Sequence, residues 1–292
     1  MTAQNRKIKP LRSNRQLLWD RRLTTGFILV TLAIIAILVV MPVVWTFSTS
    51  LRVPKESFTF PPKWLPTDFK VDNYAQVFRE VPYERYLFNS LVIAFASVAG
   101  QLATSTLAAY AFARLRFPFK NVLFVFLMTG LMIPLFVTII PVFRLVSQMG
   151  LLDTLFAVII PALVTPFGIF LMRQFFLTIP TELEDAAKLD GAGPLRIFWY
   201  IFLPLGRPGI AVLAILLFNG HWNDFFRPFI FLTSQDNWTV TLGMFALRGP
   251  LQTGSVAVVL ASVFMSLIPM IIIVVLAQRY LIEGIILTGT KG

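Results

Sequence analysis

Residues 23–51 read LTTGFILVTLAIIAILVVMPVVWTFSTSL, a stretch without a single Asp, Glu, Lys or Arg. A helix needs roughly 20 apolar residues to cross the hydrocarbon of a bilayer, and this run exceeds that. A basic leader precedes it (Arg6, Lys7, Lys9, Arg12, Arg15, Arg21, Arg22), as in a secretory signal. The apolar run is too long for a signal core, however, and no small-residue cleavage site of the usual form follows, so it reads as an uncleaved anchor. Composition agrees: the chain is 57% hydrophobic and only 13% charged, where soluble domains are roughly a quarter charged. That is more apolar surface than one core can bury, and much of it must face lipid.

Working outward from this run, further long charge-free stretches occupy 86–113, 121–143, 154–172 and 249–278. Stretch 206–231 is less clean, because Arg207, Asp224 and Arg227 lie toward its ends, but 210–218 is apolar without a break. The sequence therefore predicts an all-α polytopic membrane protein with six transmembrane helices, at about 24–47, 86–112, 120–143, 154–173, 206–231 and 257–280. A cytoplasmic tail, 1–22, precedes a transmembrane domain, 23–292. Cytoplasmic segments carry an excess of Lys and Arg. With the N-terminus inside, 16 of the 25 basic residues fall in inside segments, and an even number of spans places both termini in the cytoplasm. The outside stretch 52–85 contains Pro54, Pro61, Pro62, Pro66 and Pro82 with Trp64, Phe69 and Tyr74, and reads as a structured loop rather than a linker. Its mixed charges suit either plain solvation or a landing surface for a partner.

Several chemistries are excluded at once. There is no cysteine, hence no thiolate, disulfide or cysteine-ligated metal. A lone His221 leaves little for histidine catalysis and reads as a packed or interfacial residue. None of the glycines is followed by lysine, so the phosphate-cradling GxxxxGK[ST] loop is missing. A net charge of +11 would suit nucleic acid in a soluble protein, but here it follows membrane orientation, and no nucleic-acid partner is expected. Charges deep in spans are functional by default. Their scarcity argues against an ion-driven carrier, and no nucleophile–base or carboxylate pair suggests an intramembrane enzyme. Asp224 is the main exception, read as an interfacial partner of Arg227.

The inside loop 174–205 is the most informative segment. Residues 180–208 read PTELEDAAKLDGAGPLRIFWYIFLPLGRP. Thr181 and Glu184 have capping-box spacing, and Glu182, Glu184 and Asp185 suit the positive end of a helix dipole. Gly191 can take the left-handed backbone that stops a helix, and Pro194 can open the next one at its first position. In that second helix Leu195, Phe198 and Phe202 recur at helical spacing until Pro204. Ala186 and Ala187 give the first helix a small-residue face able to enter a groove closely. Ordinary cytoplasmic hairpins can carry the same capped helix and glycine turn.

The run Asp185-Ala186-Ala187-x-x-Asp190-Gly191-Ala192, followed by Ile201-x-Leu203-Pro204, resembles the EAA loop of ATP-binding-cassette importer permeases. It is closest to the six-span subunit of maltose-type carbohydrate permeases. Ala108-Ala109-Tyr110-Ala111, Arg114-Leu115-Arg116-Phe117-Pro118, Met132-Ile133-Pro134, Trp222-Asn223-Asp224, Gln278-Arg279-Tyr280 through Gly284, and Lys291-Gly292 extend the resemblance over nearly the whole chain. The family's first Glu is Asp185 here, with Glu184 beside it. The resemblance implies a type I importer permease fold. Glu184, Asp185, Ala186, Ala187, Asp190, Gly191, Ala192, Ile201, Leu203 and Pro204 would dock on a cytoplasmic ATPase. The implied partners are a second homologous permease, two copies of that ATPase, a solute-binding protein outside and a carbohydrate. ATP and Mg would be used by the ATPase, with no cofactor or metal held by this chain. The expected location is a bacterial or archaeal inner membrane. Glycerol phosphate or a polyol is the alternative cargo.

Asn89, Ser97, Gln101, Thr104 and Ser105 share one face of the second span. Such residues usually join helices, or they could line a sugar path. Asn89, Trp222 and Asn223 are the candidate path residues.

Overall fold

A computed structural model describes residues 14–53, 65–249 and 254–289, with α-helix as the dominant element. Pro54, Pro61, Pro62 and Trp64, most of the N-terminal tail, and Lys291-Gly292 lie outside these residues, as do the side chains of Arg279 and Tyr280. Three continuous helices are long and apolar enough to cross a membrane: α1 (Asn14–Ser50), apolar from Thr24; α3 (Tyr83–Arg114), which follows the short outer α2 (Asp72–Glu80); and α14 (Val256–Gly289), apolar to Gln278.

Two bent helix pairs bring the candidate spans to five by length and composition, and the stretch expected as the third span holds two shorter apolar helices. The expected third span is two helices rather than one, α4 (Lys120–Thr129) and α5 (Leu135–Gln148). Pro134 causes the interruption: it sits at φ −62°, ψ 142° as the N-cap of α5, and proline lacks the N–H that would continue the ladder. The fourth span is α6 (Leu155–Ala162) and α7 (Pro166–Leu177), bent by 41° with Pro166 in the first turn of α7. The inside loop holds α8 (Thr181–Leu189), α9 (Pro194–Ile197), a π-helical turn at Phe198–Phe202 and α10 (Leu203–Leu205). A 75° bend at Gly206 then leads into α11 (Arg207–Trp222). At 1.5 Å per residue α11 covers about 24 Å, and α12 (Phe226–Phe231) completes the fifth crossing. The outer connection ends in α13 (Val240–Ala246).

The central element is α3, which packs against α7, α11, α6 and α13. Its buried positions recur every three or four residues, from Tyr83 and Tyr86 through Ala94 and Gln101 to Tyr110, while Phe88, Phe95 and Leu107 on the opposite face are exposed. An outer core gathers Ile93, Val146, Val158, Phe231 and Leu242, and an inner one gathers Tyr110, Met172, Phe176, Phe198, Phe202 and Leu213. By contrast α1 packs chiefly on α14. Its residues from Phe27 to Val44 lie open on this chain, as a helix face left to lipid or to another subunit should.

At the end of the bundle that the basic residues assign to the outside, polar contacts hold the connections together. Outside, Asn73 donates to the carbonyls of Ser50 and Arg52, and Arg85 pairs with Asp236 at 3.2 Å. These bonds make the described part of the outer loop, 65–82, an ordered cap on α1. Asp153 stitches two outer connections together. Its carboxylate accepts from the N–H groups of Thr233 and Ser234, each at 2.9 Å, and from the Ser234 hydroxyl. These bonds, the Ser234 hydroxyl foremost, lower the Asp153 pKa to about 2.

Candidate functional site

Helix α8 begins differently from the capping-box reading. Pro180 occupies the N-cap and Thr181 is already the first helical residue, with no side-chain cap bond. Glu184 consequently lies one residue further in, and its carboxylate turns into the protein instead of back onto the helix start. It is 6% exposed. One oxygen lies 2.8 Å from Lys188 Nζ, one turn on, and the other 3.9 Å from Arg114. The hydrogen bond to Glu184 raises the Lys188 pKa, and Asp185, 3.4 Å from the same ammonium, adds to the effect.

The end of α8 follows the expected glycine stop in full. Gly191 has φ +77°, a conformation that costs other residues roughly 1–2 kcal/mol. The Ala192 N–H reaches back to the Ala187 carbonyl at 2.9 Å and the Gly191 N–H to that of Lys188 at 3.0 Å. These two bonds form a Schellman cap, which satisfies the last carbonyls of the helix. Pro194 opens α9 in its first turn, as expected. The Leu195–Phe198–Phe202 stripe divides, since Phe198 and Phe202 are buried while Leu195 is exposed.

Asp185, Ala186 and Asp190 are exposed, Gly191 is exposed at the turn, and Ala187 and Ala192 are half-buried against the inner core. Between the helices lies a recess of about 310 Å³, lined by Ala187, Asp190, Ala192, Arg196, Tyr200 and Ile201 among others. Leu203 packs on the inner core and Pro204 is exposed. Leu189 is 90% exposed and Tyr200 76%. Exposed apolar groups beside such a recess mark an interaction surface. Of the ten predicted docking residues, Asp185, Ala186, Asp190, Gly191 and Pro204 are exposed, Ala187, Ala192, Ile201 and Leu203 are half-buried against the inner core, and Glu184 is buried with its carboxylate toward Arg114.

Its counterpart, Arg114, was not singled out by sequence reasoning. Arg114 ends α3, and its side chain is 7% exposed. One nitrogen donates to the Phe176 carbonyl at 2.7 Å and to that of Ile179, and the guanidinium lies 5.0 Å over the Phe202 ring. It therefore ties α3, the end of α7, α8 and the π-helical turn together. The available signal was an arginine at the inner edge of an apolar run, inside the Arg114-Leu115-Arg116-Phe117-Pro118 motif.

The candidate path residues are not brought together. Asn89 is buried and donates to the carbonyls of Asp236 at 2.9 Å and Trp238 at 3.0 Å. Trp222 stacks on Phe218 and donates to the Ser266 carbonyl at 3.0 Å. Asn223 is exposed on α11. In the second-span stripe, Gln101 donates to the Ala162 carbonyl and Thr104 to that of Leu163 at 2.7 Å, at the break in span four. His221 closes the set at 3.1 Å from Gln101 Oε1. Proline at 166 frees those carbonyls, and neighbouring polar side chains take them up, as an apolar surround demands. Asp224 lies 3.6 Å from Arg227 and accepts from the N–H groups that start α12. Among the described residues no cluster suited to a metal occurs.

The family model described as "binding-protein-dependent transport system inner membrane component" matches residues 101–282. The arabinooligosaccharides transport system permease protein of Halalkalibacterium halodurans is 34% identical over 275 residues, covering 92% of this chain and 96% of that protein. The sn-glycerol-3-phosphate transport system permease protein of Yersinia enterocolitica is 31% identical, over 91% of this chain and 98% of that one. Among solved structures, a chain of a bacterial ABC transporter that imports the acidic polysaccharide alginate superposes with TM-score 0.78 at 24% identity, covering 94% of this chain and all of that one.

Proposed function

The chain belongs to the family of binding-protein-dependent transport system inner membrane components, and on that premise we propose that it is one of two homologous permeases in an ATP-driven carbohydrate importer. It is a multi-pass inner-membrane protein and not itself an enzyme. Two cytoplasmic ATPases hydrolyse ATP with Mg, and a solute-binding protein outside delivers the cargo, an oligosaccharide or glycoside.

The observation that carries this reading is the seat of α8. The helix offers Ala186, Asp185 and Leu189 outward and is gripped from behind through Glu184 and Arg114. A groove in an ATPase can hold the outward face, with Asp185 and Asp190 fixing orientation at the rim. When the two ATPases close on ATP, displacement of α8 passes through Arg114 into α3 and α7, and through the π-helical turn into α11. A rigid joint is needed for this, because a flexible loop would absorb the motion. The spans then rock from inward-facing to outward-facing around the cargo.

The test is uptake into vesicles holding the full importer. Uptake should require ATP and the binding protein and survive collapse of ion gradients; the reverse pattern would refute the proposal. Gly191→Val should insert normally, since no protein atom lies within 4 Å of the added Cβ. It should nonetheless uncouple the ATPase, because the turn cannot keep φ +77° without strain.

A further inference from the structure

Helix α11 sorts its side chains sharply. Phe218 and Trp222 turn into the bundle and His221 turns to Gln101 on α3. The remaining face, Leu216, Asn219, Gly220 and Asn223, is exposed on this chain. Counting from Arg207 at the inner end, Asn219 lies about 18 Å and Asn223 about 24 Å along the axis, which places them from the middle to the outer half of a ~30 Å hydrocarbon layer. Two amides at that depth cannot face lipid without a large desolvation cost.

The two amides are also arranged. Asn223 Nδ2 donates to Asn219 Oδ1 at 2.9 Å and to the Asn219 carbonyl at 3.0 Å. That leaves the Asn219 amide N–H groups and the Asn223 amide oxygen without a hydrogen-bond partner among the described residues, a donor and an acceptor on adjacent turns of an exposed face. Gly220 lies between them, and a Cβ there would meet nothing within 4 Å. Glycine is disfavoured in a helix interior relative to alanine, and no packing among the described residues requires it. Its effect is an open shallow notch beside the amide pair.

We infer that the Asn219–Gly220–Asn223 face is a wall of the translocation path and contacts the hydroxyls of a neutral sugar; this rests on the importer reading above. Neighbouring sugar hydroxyls each donate and accept, which matches a donor–acceptor amide pair, and the notch admits the edge of a ring. Charge favours the neutral cargo over a phosphate. Between Arg207 and Arg227 the chain has no Lys or Arg, and Arg227 is engaged by Asp224.

The natural lack of cysteine makes the test direct. In the assembled importer, built with cysteine-free partner subunits, Asn219→Cys and Asn223→Cys should react with an anionic, water-soluble methanethiosulfonate in at least one nucleotide state. The rate should be at least about tenfold above that of Val125→Cys, a position 65% exposed on α4. No reaction in any state would overturn the inference, as would failure of an Asn219→Leu, Asn223→Leu double variant to co-purify with the second permease, since either result means that this face is sealed against that subunit. If assembled, the double variant should lower kcat/KM for uptake of radiolabelled maltotriose or arabinotriose, whichever the parent carries, by about tenfold, the order of loss when hydrogen bonds of ordinary net strength are removed. Unaltered uptake, or efficient uptake of glycerol 3-phosphate by the parent, would overturn it. Parent uptake that needs no ATP would sink the importer reading instead, so the two failures are distinguishable.

Discussion

Replacing Arg114 with alanine tests how α8 is held. The substitution removes donation to the Phe176 and Ile179 carbonyls, the buried pairing with Glu184 and the contact with the Phe202 ring. Breaking a buried ion pair from one side costs roughly 3–5 kcal/mol. Glu184 keeps Lys188 at 2.8 Å, so its charge is not left alone and the loss should fall near the low end, about 3 kcal/mol. That corresponds to about a hundredfold shift in the population of the seated helix, and the apparent ATPase affinity can fall by up to the same factor. Glu184→Gln leaves both carbonyl bonds of Arg114 in place and should cost only about 1 kcal/mol, the net worth of an ordinary hydrogen bond. Arg114→Lys should fall between, because a single ammonium cannot serve the two carbonyls and Glu184 from separate nitrogens or lay a planar group over the Phe202 ring. ATPase dissociation from nanodisc-held permease pairs gives the ranking, and membrane insertion serves as the control. Arg114→Ala within twofold of the parent, or Glu184→Gln worse than Arg114→Ala, would refute the reasoning.

Three further outcomes follow from the packing. Gln101→Ala strands the Ala162 carbonyl and removes the partner of His221, so thermal unfolding of the purified complex should show a loss of about 1–3 kcal/mol. Gly209→Val should destabilise by about 1–3 kcal/mol through overpacking, since a Cβ at 209 would lie 2.7 Å from the Phe175 ring. The Asp153 clamp has a folded pKa of about 2 against an ordinary 3.8. Its contribution is therefore fully present above about pH 4 and is lost as pH falls toward 2. Asp153→Ala should lower the midpoint of thermal unfolding equally at pH 6 and pH 8, and a difference that vanished at pH 8 would contradict the assignment.

The three continuous apolar helices were legible because hydrocarbon thickness sets a length that apolar runs must meet. The stop at Gly191 was legible because only a local backbone conformation was at stake. Local rules failed where a distant partner intervened. Thr181 and Glu184 have capping-box spacing, yet Glu184 is drawn inward by Arg114, 70 residues away in sequence. The breaks in spans three and four were written in Pro134 and Pro166, but hydrophobicity alone counts through a proline. Asn89 had the right chemistry for a path, and its amide is taken by two carbonyls of the outer connection between α12 and α13, a pairing that no periodicity announces. Asn219 escaped notice for the opposite reason: its significance lies in facing away from everything else in the chain.

The grip of Arg114 on α7 has a consequence for how this protein can vary. Its two strongest contacts are to main-chain oxygens, which every amino acid supplies. Substitutions at 176 and 179 that preserve the fold leave the hold intact, so drift there is invisible to the joint. Its side-chain dependence narrows to Glu184. Homologues in which position 114 is no longer arginine should therefore have changed at 184 as well, and a saturation library across 174–189 should accept apolar replacements at the buried position 179 while selecting at 184 for side chains that offer Arg114 an oxygen.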